Sequence, residues 1–486
     1  MQVILYIIYN MSDILTDYQR EAIDRILRGE NVCCVGPGGT GKSEVIKHIN
    51  TDKSRILMMS LSGLAALNMD EEHGRTIHSI FKIAEKSLLA WNWQKVKKDI
   101  LKKKEDIKKL FDSVEIIIID EWSMISSGLF DTIVNTYNLV CNIRSGIPFE
   151  GKQVICLGDP LQLPPIPGDD PMDPNDYSQE LDACDYLVTN NYFRQLYSKD
   201  NIIHFSENKR CTDPIFNNIL HHTRTGFKEA DDNTKVQVIN QLNQHRFTGN
   251  SILEGGDLHE LYEKSLKTTL KRATVEAINT KKIHALIDNG NNYRVYNRKV
   301  LFSKSDFHHK YCSYYNDPDQ MYDNCIKYMD SLDGYIYEFS AVVGERVMLR
   351  VNNLHDKLRN GSLGTIVQIN ENSIDVEFDN ESVGTIGIKK NKWTHPIFSD
   401  IKVEAYPLIP AWAITIHKLQ GQTIDSPLFI ICHEGDHMDK DHLMYTAISR
   451  LTQLDNLYII RRTPIIEQNF PVSEDMYDWY HRCKMN

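Results

Sequence analysis

From Thr16 to about Tyr197 short apolar runs alternate with polar segments of helical spacing. Three of the runs are Asn31 to Val35, Ile56 to Ser60 and Val114 to Asp120, and a fourth follows at Gln153 to Leu157. Each ends in a loop of Gly, Ser, Asp or Pro, and four isoleucines in a row, Ile116 to Ile119, suit a central strand buried on both faces. The rhythm predicts a parallel sheet covered by helices, in which ligands bind beyond the carboxyl ends of the strands. From about Asn201 to Leu354 the chain reads as more helical and polar, with a Tyr-, Asp- and Asn-rich stretch, His308 to Tyr337, that follows no assignable pattern. From Asn360 to about Tyr406 the segments GTIVQI, SIDVEF and VGTIGIKK alternate between Asn, Gly and Asp turn signals and predict a small β-barrel insert. Pro410 to Asn486 returns to strand and helix signals and completes a second α/β domain. No internal repeat is visible.

Composition narrows the class. A chain of 486 residues exceeds one ordinary hydrophobic core, so two to four domains are expected; 41% hydrophobic and 25% charged residues are the balance of a soluble globular protein. The formal charge of -11 argues against a surface coated with nucleic acid but leaves room for a local basic channel. The densest basic stretch, Lys95 to Lys109, carries eight lysines at helix-compatible spacing, either a solvated helix face or a basic wedge. Ten cysteines without a paired CxxC grid point to reduced thiols and an intracellular setting. Cys432, His433, His437 and His442 lie close together, but at no familiar zinc spacing. The apolar opening MQVILYIIYN is far short of the roughly 20 residues that span a bilayer. It is expected to be a buried strand, or dispensable residues before an alternative start at Met11.

The chemistry concentrates in two motifs. Gly36-Pro37-Gly38-Gly39-Thr40-Gly41-Lys42-Ser43 follows the apolar run NVCCV and precedes the helical EVIKHI, the strand, loop and helix setting of a phosphate-binding loop. Its glycines let backbone N–H groups curl around phosphates, the helix start adds partial positive charge, Lys42 reaches the β- and γ-phosphates, and Ser43 ligates magnesium. The strand Ile116 to Ile119 ends in Asp120 and Glu121; Asp120 is assigned to the metal and Glu121 to the general base. The competing readings are a chance glycine turn and a surface acidic pair. Kinases, GTPases and transporters share such a site, so it does not by itself identify a function.

Further segments follow in a fixed order: LTDYQREAI, SLSGLAALN, GRTIHSIF, LGDPLQLPPI, then ENKR with Phe216, Leu220 and Arg224-Thr225-Gly226 behind it, GERVMLRVN with NGSLGTIV, AWAITIHKLQGQT, and YTAISRLT. In this order, from Leu15 to about Ile460, the chain resembles superfamily-one DNA helicases of the 5′-to-3′ branch, closest to the Pif-type (petite integration frequency) family, with RecD-like enzymes as relatives. Pro160 stands where that family usually has an aromatic, a departure shared with RecD-like forms.

The resemblance implies an α/β fold of two RecA-like P-loop domains. The first spans 12–200 after an extension of 1–11, with a wedge insert at 81–112. The second combines 201–359 and 407–486 around an SH3-like β-barrel at 360–406. It places Gln19 against the adenine, Gly421 and Gln422 at the nucleotide, and Gln162 as the γ-phosphate sensor. Arg210 and Arg450 become arginine fingers from the second domain, linking hydrolysis to domain closure. Ser62, Thr76, His78, Thr415, His417 and Lys418 fall on the single strand, and Trp412 or Phe81 become stacking platforms if they are not core residues. It implies ATP and Mg2+ as cofactors and single-stranded and forked duplex DNA as partners, along with replication or recombination proteins. It further implies a monomer without membrane attachment. Without it, Thr415, His417, Lys418 and Gln420 read equally as helix caps and surface groups, and Arg450 as an ion pair or a finger. Three rivals remain on residues alone: a phosphotransferase, a nucleic-acid binder with an inactive site, and a translocase or RNA helicase that does not unwind DNA.

Overall fold

The computed structural model describes residues 15–49, 51–61, 65–66, 69–70, 74–81, 97, 100–101, 104–165, 186–312, 317–330, 336–351, 354, 358, 361–380, 382–395, 398, 400–433 and 442–484. The chain divides into two compact units, Met1–Gly255 with Leu419–Asn486, and Gly256–Lys418. The opening decapeptide, Met11, Ser62, Lys95, Lys98, Lys102, Lys103 and His437 lie outside the described residues.

The first unit is built on a six-stranded sheet of β1 (Val32–Val35), β2 (Ile56–Ser60), β3 (Gly74–Thr76), β4 (Ile116–Asp120), β5 (Gln153–Gly158) and β6 (Ile202–His204), in the order β3-β2-β4-β5-β1-β6. Every pairing is parallel, and the four apolar runs of the sequence supply four of the six strands. Because side chains alternate along a strand, each run feeds both faces. Val32, Cys34, Met58, Ile116, Ile118, Ile155 and Leu157 pack with Ala22, Ile23 and Ile26 of helix α1 (Asp17–Leu27). Cys33, Val35, Leu57, Ile117, Ile119 and Cys156 pack on the other side with Leu129, Phe130, Ile133, Val134 and Tyr137 of α2 (Ser127–Cys141). Both helices start on side-chain caps: Thr16 accepts from the Gln19 N–H, and Ser126 accepts from the Leu129 N–H. This is the RecA-like arrangement, a parallel sheet flanked by helices.

The order β4-β5-β1 sets three strands side by side, so the loops leaving their carboxyl ends are neighbours. Those loops are Asp120–Glu121, Gly158–Gln162 and Gly36–Ser43. In the same unit Leu428–Ile431, Leu457–Ile460 and Arg246–Phe247 form a further parallel set. Helices α3 (Pro214–Arg224), α4 (Leu443–Ile448) and α5 (Glu474–Lys484) also belong to it. The segment after the phosphate loop, expected as an α-helix, is a 3-10 helix over Ser43–His48, held by i→i+3 bonds such as Val45 N–H to Lys42 C=O. At six residues it is longer than most 3-10 segments, which rarely exceed about four. Of the expected wedge, the described helix Lys104–Asp112 buries Ile107 and Phe111 in the core. Lys104 bonds Asn142 and Lys108 pairs with Asp112.

The second unit contains a parallel pair, Leu266–Thr269 with Ala413–Thr415, clasped by Asn279, which accepts from the Ala413 N–H at 2.8 Å and donates to its C=O at 3.0 Å. A five-stranded antiparallel sheet follows, in the order Thr385–Ile388, Ile374–Phe378, Leu363–Ile369, Arg346–Leu349, Leu408–Pro410. Its core is Val347, Leu349, Ile366, Ile374, Val376, Phe378 and Ile388. The β-rich region therefore takes in strands on either side of 360–406. The stretch without a sequence pattern holds helices Lys304–Tyr311 and Pro318–Asp330, which bury Phe307, Tyr322 and Met329 against Phe398 and Ile401. Among the described residues no helix is long and apolar enough to cross a membrane.

Candidate active site

The phosphate loop leaves β1 and wraps back on itself. Gly41 has φ +77°, a conformation that favours glycine, and a methyl group there would also come 2.5 Å from Gln19 Nε2 and displace that side chain. Lys42 donates to Gly36 O at 2.7 Å and Pro37 O at 2.8 Å, its ammonium folded onto its own loop. Burial lowers the Lys42 pKa, and the carboxylates of Asp159, Glu121 and Asp120 oppose that shift.

Beside the loop, β4 ends in the two carboxylates. Asp120 accepts from the Glu121 N–H at 2.9 Å through Oδ1 and from the Ser43 hydroxyl at 3.5 Å through Oδ2. Burial pushes its carboxyl up to about 7; the Glu121 charge adds to the rise, while the Glu121 N–H bond and Lys42 oppose it. Glu121 turns sharply out of the strand at φ 51° and ψ 42°, a left-handed conformation that a non-glycine residue holds only under constraint from its surroundings. A hydroxyl and a carboxylate in contact form a hard oxygen donor set, which suits Mg2+.

Three side chains remote in sequence converge on Gly38. A methyl group there would lie 3.2 Å from Arg210 Nη1, 3.3 Å from Gln162 Nε2 and 3.5 Å from Arg450 Nη2. Arg450 Nη2 donates to Gln162 Oε1 at 3.1 Å and to Ser449 Oγ at 3.0 Å, while its Nε holds Thr446 O at 3.0 Å. Arg210 Nη1 donates to Ser449 O at 2.9 Å. Burial brings Arg210 down to about 10, and the neighbouring Arg450 charge adds to the drop. Burial likewise lowers Arg450, against the pull of Glu121. Two guanidinium groups and an amide meet at one glycine of a phosphate loop, and their hydrogen bonds among the described residues go to neutral groups, Ser449, Thr446 and Gln162. The cluster suits a polyphosphate.

Sequence reasoning missed the residues that hold this group. Asp159, three positions before Gln162, is paired with Arg224 at the end of α3 through contacts of 2.7, 3.1 and 3.2 Å, and both are almost fully buried. Burial would raise the Asp159 carboxyl, but the Arg224 guanidinium outweighs it and holds the group below its ordinary range. The other face of Arg224 lies 4.5 Å from the Tyr480 ring of α5, and the Tyr445 hydroxyl of α4 donates to Asp159 Oδ2 at 3.5 Å. One signal was readable: a carboxylate directly after a buried strand, Gly158-Asp159, needs a partner. Which arginine supplies it was not.

The remaining expected site residues divide by unit. In the first, Gln19 is buried, its Oε1 accepting from Thr16 N–H at 2.9 Å and its Nε2 donating to Gly41 O at 3.0 Å. Gly421 sits in a left-handed turn closed by Gln422 N–H to Leu419 C=O, and Ile424 N–H to Arg450 O ties this segment to the arginine. Thr76 ends β3, the His78 side chain is not among those described, and Phe81 is a core residue. In the second unit Thr415 is buried, and burial lowers the His417 imidazole, with Arg272 adding to the shift. Trp412 has two cations near its ring, Lys282 Nζ at 4.7 Å and Lys267 Nζ at 5.5 Å, and both donate to Glu263 O.

The family model for PIF1-like helicases matches residues 14–226. The chain is 26% identical over 468 residues to ATP-dependent DNA helicase Pif1 of Campylobacter jejuni subsp. jejuni, covering 90% of each protein. It resembles the crystal structure of Pif1 helicase from Candida albicans at a TM-score of 0.73 and 19% identity, covering 96% of this chain and 99% of that one. It also resembles Pif1 helicase from Bacteroides in complex with ADP-AlF3 and ssDNA at a TM-score of 0.64 and 23% identity, covering 97% of each. These structural likenesses show the fold.

Proposed function

We propose that the chain, which the PIF1-like helicase model matches over residues 14–226 and which is 26% identical to a Pif1 helicase over 90% of its length, is an ATP-dependent DNA helicase that moves 5′-to-3′ along a single strand and unwinds duplex DNA. The observation that carries this reading is the convergence of Gln162, Arg210 and Arg450 on Gly38, beside the carboxylates of Asp120 and Glu121. A phosphotransferase has no need of a sensor and two arginines gathered from three distant segments, whereas a motor must report the state of the γ-phosphate to the rest of the chain.

ATP lies along Gly36–Ser43, and Lys42 exchanges its two carbonyl acceptors for β- and γ-phosphate oxygens. Ser43 and Asp120 would hold Mg2+, which would neutralise charge on those phosphates. Glu121 accepts the proton of the attacking water and Gln162 orients that water. Arg210 and Arg450 stabilise charge on the γ-phosphate as the bond to the leaving oxygen breaks. Loss of the γ-phosphate changes what Gln162 and Arg450 bind, and that change is passed to α4 through Thr446 and Ser449. Thr76, Thr415, His417 and Lys418 grip the strand, mostly at phosphates, so binding is salt-sensitive and nearly indifferent to sequence. The Bacteroides relative was captured with ADP-AlF3 and single-stranded DNA together, which supports one protein holding both ligands at once. The working unit is a monomer acting on forked duplexes.

The test is hydrolysis with and without single-stranded DNA, with unwinding of duplexes bearing a 5′ or a 3′ tail and Lys42→Ala as the blank. The reading expects DNA-stimulated hydrolysis and unwinding from the 5′ tail alone. Hydrolysis indifferent to DNA and RNA would reject it, and stimulation without unwinding would leave a translocase.

A further inference from the structure

We propose that the outer edge of the strand Tyr293–Asn297 in the second unit is a docking site for an extended acidic segment of a partner protein, which joins it as an added strand. Tyr293–Asn297 pairs antiparallel with Glu338–Val342, and among the described residues these two strands make up the whole sheet. Val343 N–H donates to Asn292 C=O and Arg298 N–H donates to Tyr337 C=O. Since bonded and non-bonded pairs alternate along an antiparallel ladder, Arg294 and Tyr296 bond the partner strand, and Tyr293, Val295 and Asn297 aim their N–H and C=O groups outward. All three are exposed, Tyr293 at 50% and Val295 at 45%, as is Arg294, while Tyr296 is half-buried. Natural sheets blunt such edges with proline, charge or a bulge; this strand, YRVYN, has neither proline nor bulge, and its one charge, Arg294, lies on the Tyr296 face.

The backbone fixes an extended occupant, because only an extended chain matches donors and acceptors repeating at every second residue. Charge selects its character. Arg294 lies 5.3 Å from the Tyr296 ring, and Lys390 lies 5.9 Å from the same ring and 5.8 Å from Tyr406. Neither cation has a carboxylate partner among the described residues. They stand on the face of the ribbon opposite to Tyr293 and Val295, so an added strand meets cations on one side and apolar groups on the other. Alternating acidic and apolar residues are the complement.

The full-length protein is titrated against a labelled peptide alternating Glu with Val and Thr, a counterpart with Lys for Glu, and oligo-dT, read by fluorescence anisotropy. The acidic peptide is expected to bind more tightly than its Lys counterpart, and Arg294→Glu to reverse that preference. Val295→Pro removes one outward donor and no ladder bond, so it should weaken the acidic peptide about tenfold while DNA-stimulated hydrolysis is unchanged. Val295→Lys keeps the backbone donor and blocks the edge sterically, and serves if the proline variant does not fold. Equal binding of the two peptides, or binding untouched by both Val295 variants, overturns the proposal. Oligo-dT that displaces the acidic peptide assigns the ribbon to nucleic acid instead. Self-association that Val295→Pro abolishes assigns it to a second copy, and either result also overturns the proposal.

Discussion

Removing Asp159 should cost the protein more than removing any single surface charge, and the reason is the burial of its partner. Arg224 is 2% and Asp159 1% exposed, and three contacts of 2.7 to 3.2 Å join them. In Asp159→Ala the guanidinium stays buried, facing the Tyr480 ring 4.5 Å away, with no carboxylate partner among the described residues. Breaking one side of such a pair costs about 3–5 kcal/mol. Against a total of roughly 5–15 kcal/mol, and at about 2–4 °C per kcal/mol for a large domain, melting should fall by about 6–20 °C. The carboxyl sits below its ordinary range, so its contribution is complete above the unfolded-state value and is lost only as pH falls through the lower folded-state value. The melting difference should therefore be flat between neutral and mildly acidic pH. Replacing both partners, Asp159→Leu with Arg224→Met, should restore most of the melting temperature because no charge is left unpaired. It should not restore catalysis. Asp159 also accepts from the Leu161 N–H at 3.1 Å and from the Tyr445 hydroxyl, and so holds the turn that presents Gln162. Differential scanning calorimetry with steady-state hydrolysis separates the two effects. A single variant that melts with the wild type, or a double variant that regains both stability and kcat, would refute the reasoning.

Three further outcomes follow from the same geometry. Tyr445→Phe deletes one long hydrogen bond without opening a cavity, so kcat should fall a few-fold with melting and DNA affinity unchanged, as measured by hydrolysis and calorimetry. Gly38→Ala places a methyl 3.2 to 3.5 Å from Arg210, Gln162 and Arg450; nucleotide should still bind by titration calorimetry, but kcat should drop about tenfold because the arginines are pushed off the γ-phosphate position. His442 is buried and held down at about 4 by burial, with Asp159 opposing and Arg224 adding. The unfolded chain then takes up its proton near pH 6.5 while the folded one does not, so stability falls as pH drops from 6.5 towards 4, by up to about 1.4 kcal/mol per pH unit. Denaturant midpoints measured across that range should show a shallower slope in His442→Gln, and an unchanged slope would remove His442 from the account.

What the sequence revealed and what it hid follow from how local each feature is. The phosphate loop and the Asp120–Glu121 pair were readable because strand, turn and chemistry lie within a few consecutive residues. The order of the motifs then carried the family. Gln19, which the resemblance places against the adenine, closes a capping box with Thr16 and donates to Gly41 O, a structural role that the sequence analysis did not assign. The Asp159–Arg224–Tyr445 cluster was not readable because its members are 65 and 286 positions from Asp159, and no local pattern pairs them. The helical turn after the phosphate loop was foreseen, but its tighter 3-10 form was not, since the same residues suit either. Arg346–Leu349 and Leu408–Pro410 join the β-rich sheet from outside the run of turn signals, because strand pairing is not a local property of the sequence.

The central claim is that Gln162, Arg210 and Arg450 act on one phosphate above Gly38. Single-turnover hydrolysis by Arg210→Ala, Arg450→Ala and the double variant, with ATP affinity measured beside it, tests this most directly. Each arginine should contribute about 10³-fold or more to the hydrolysis rate with little change in nucleotide affinity, and the double variant should lose far less than the product of the two single losses, because the groups act as a unit. Losses that multiply independently, or either variant hydrolysing ATP at the wild-type rate, would contradict it.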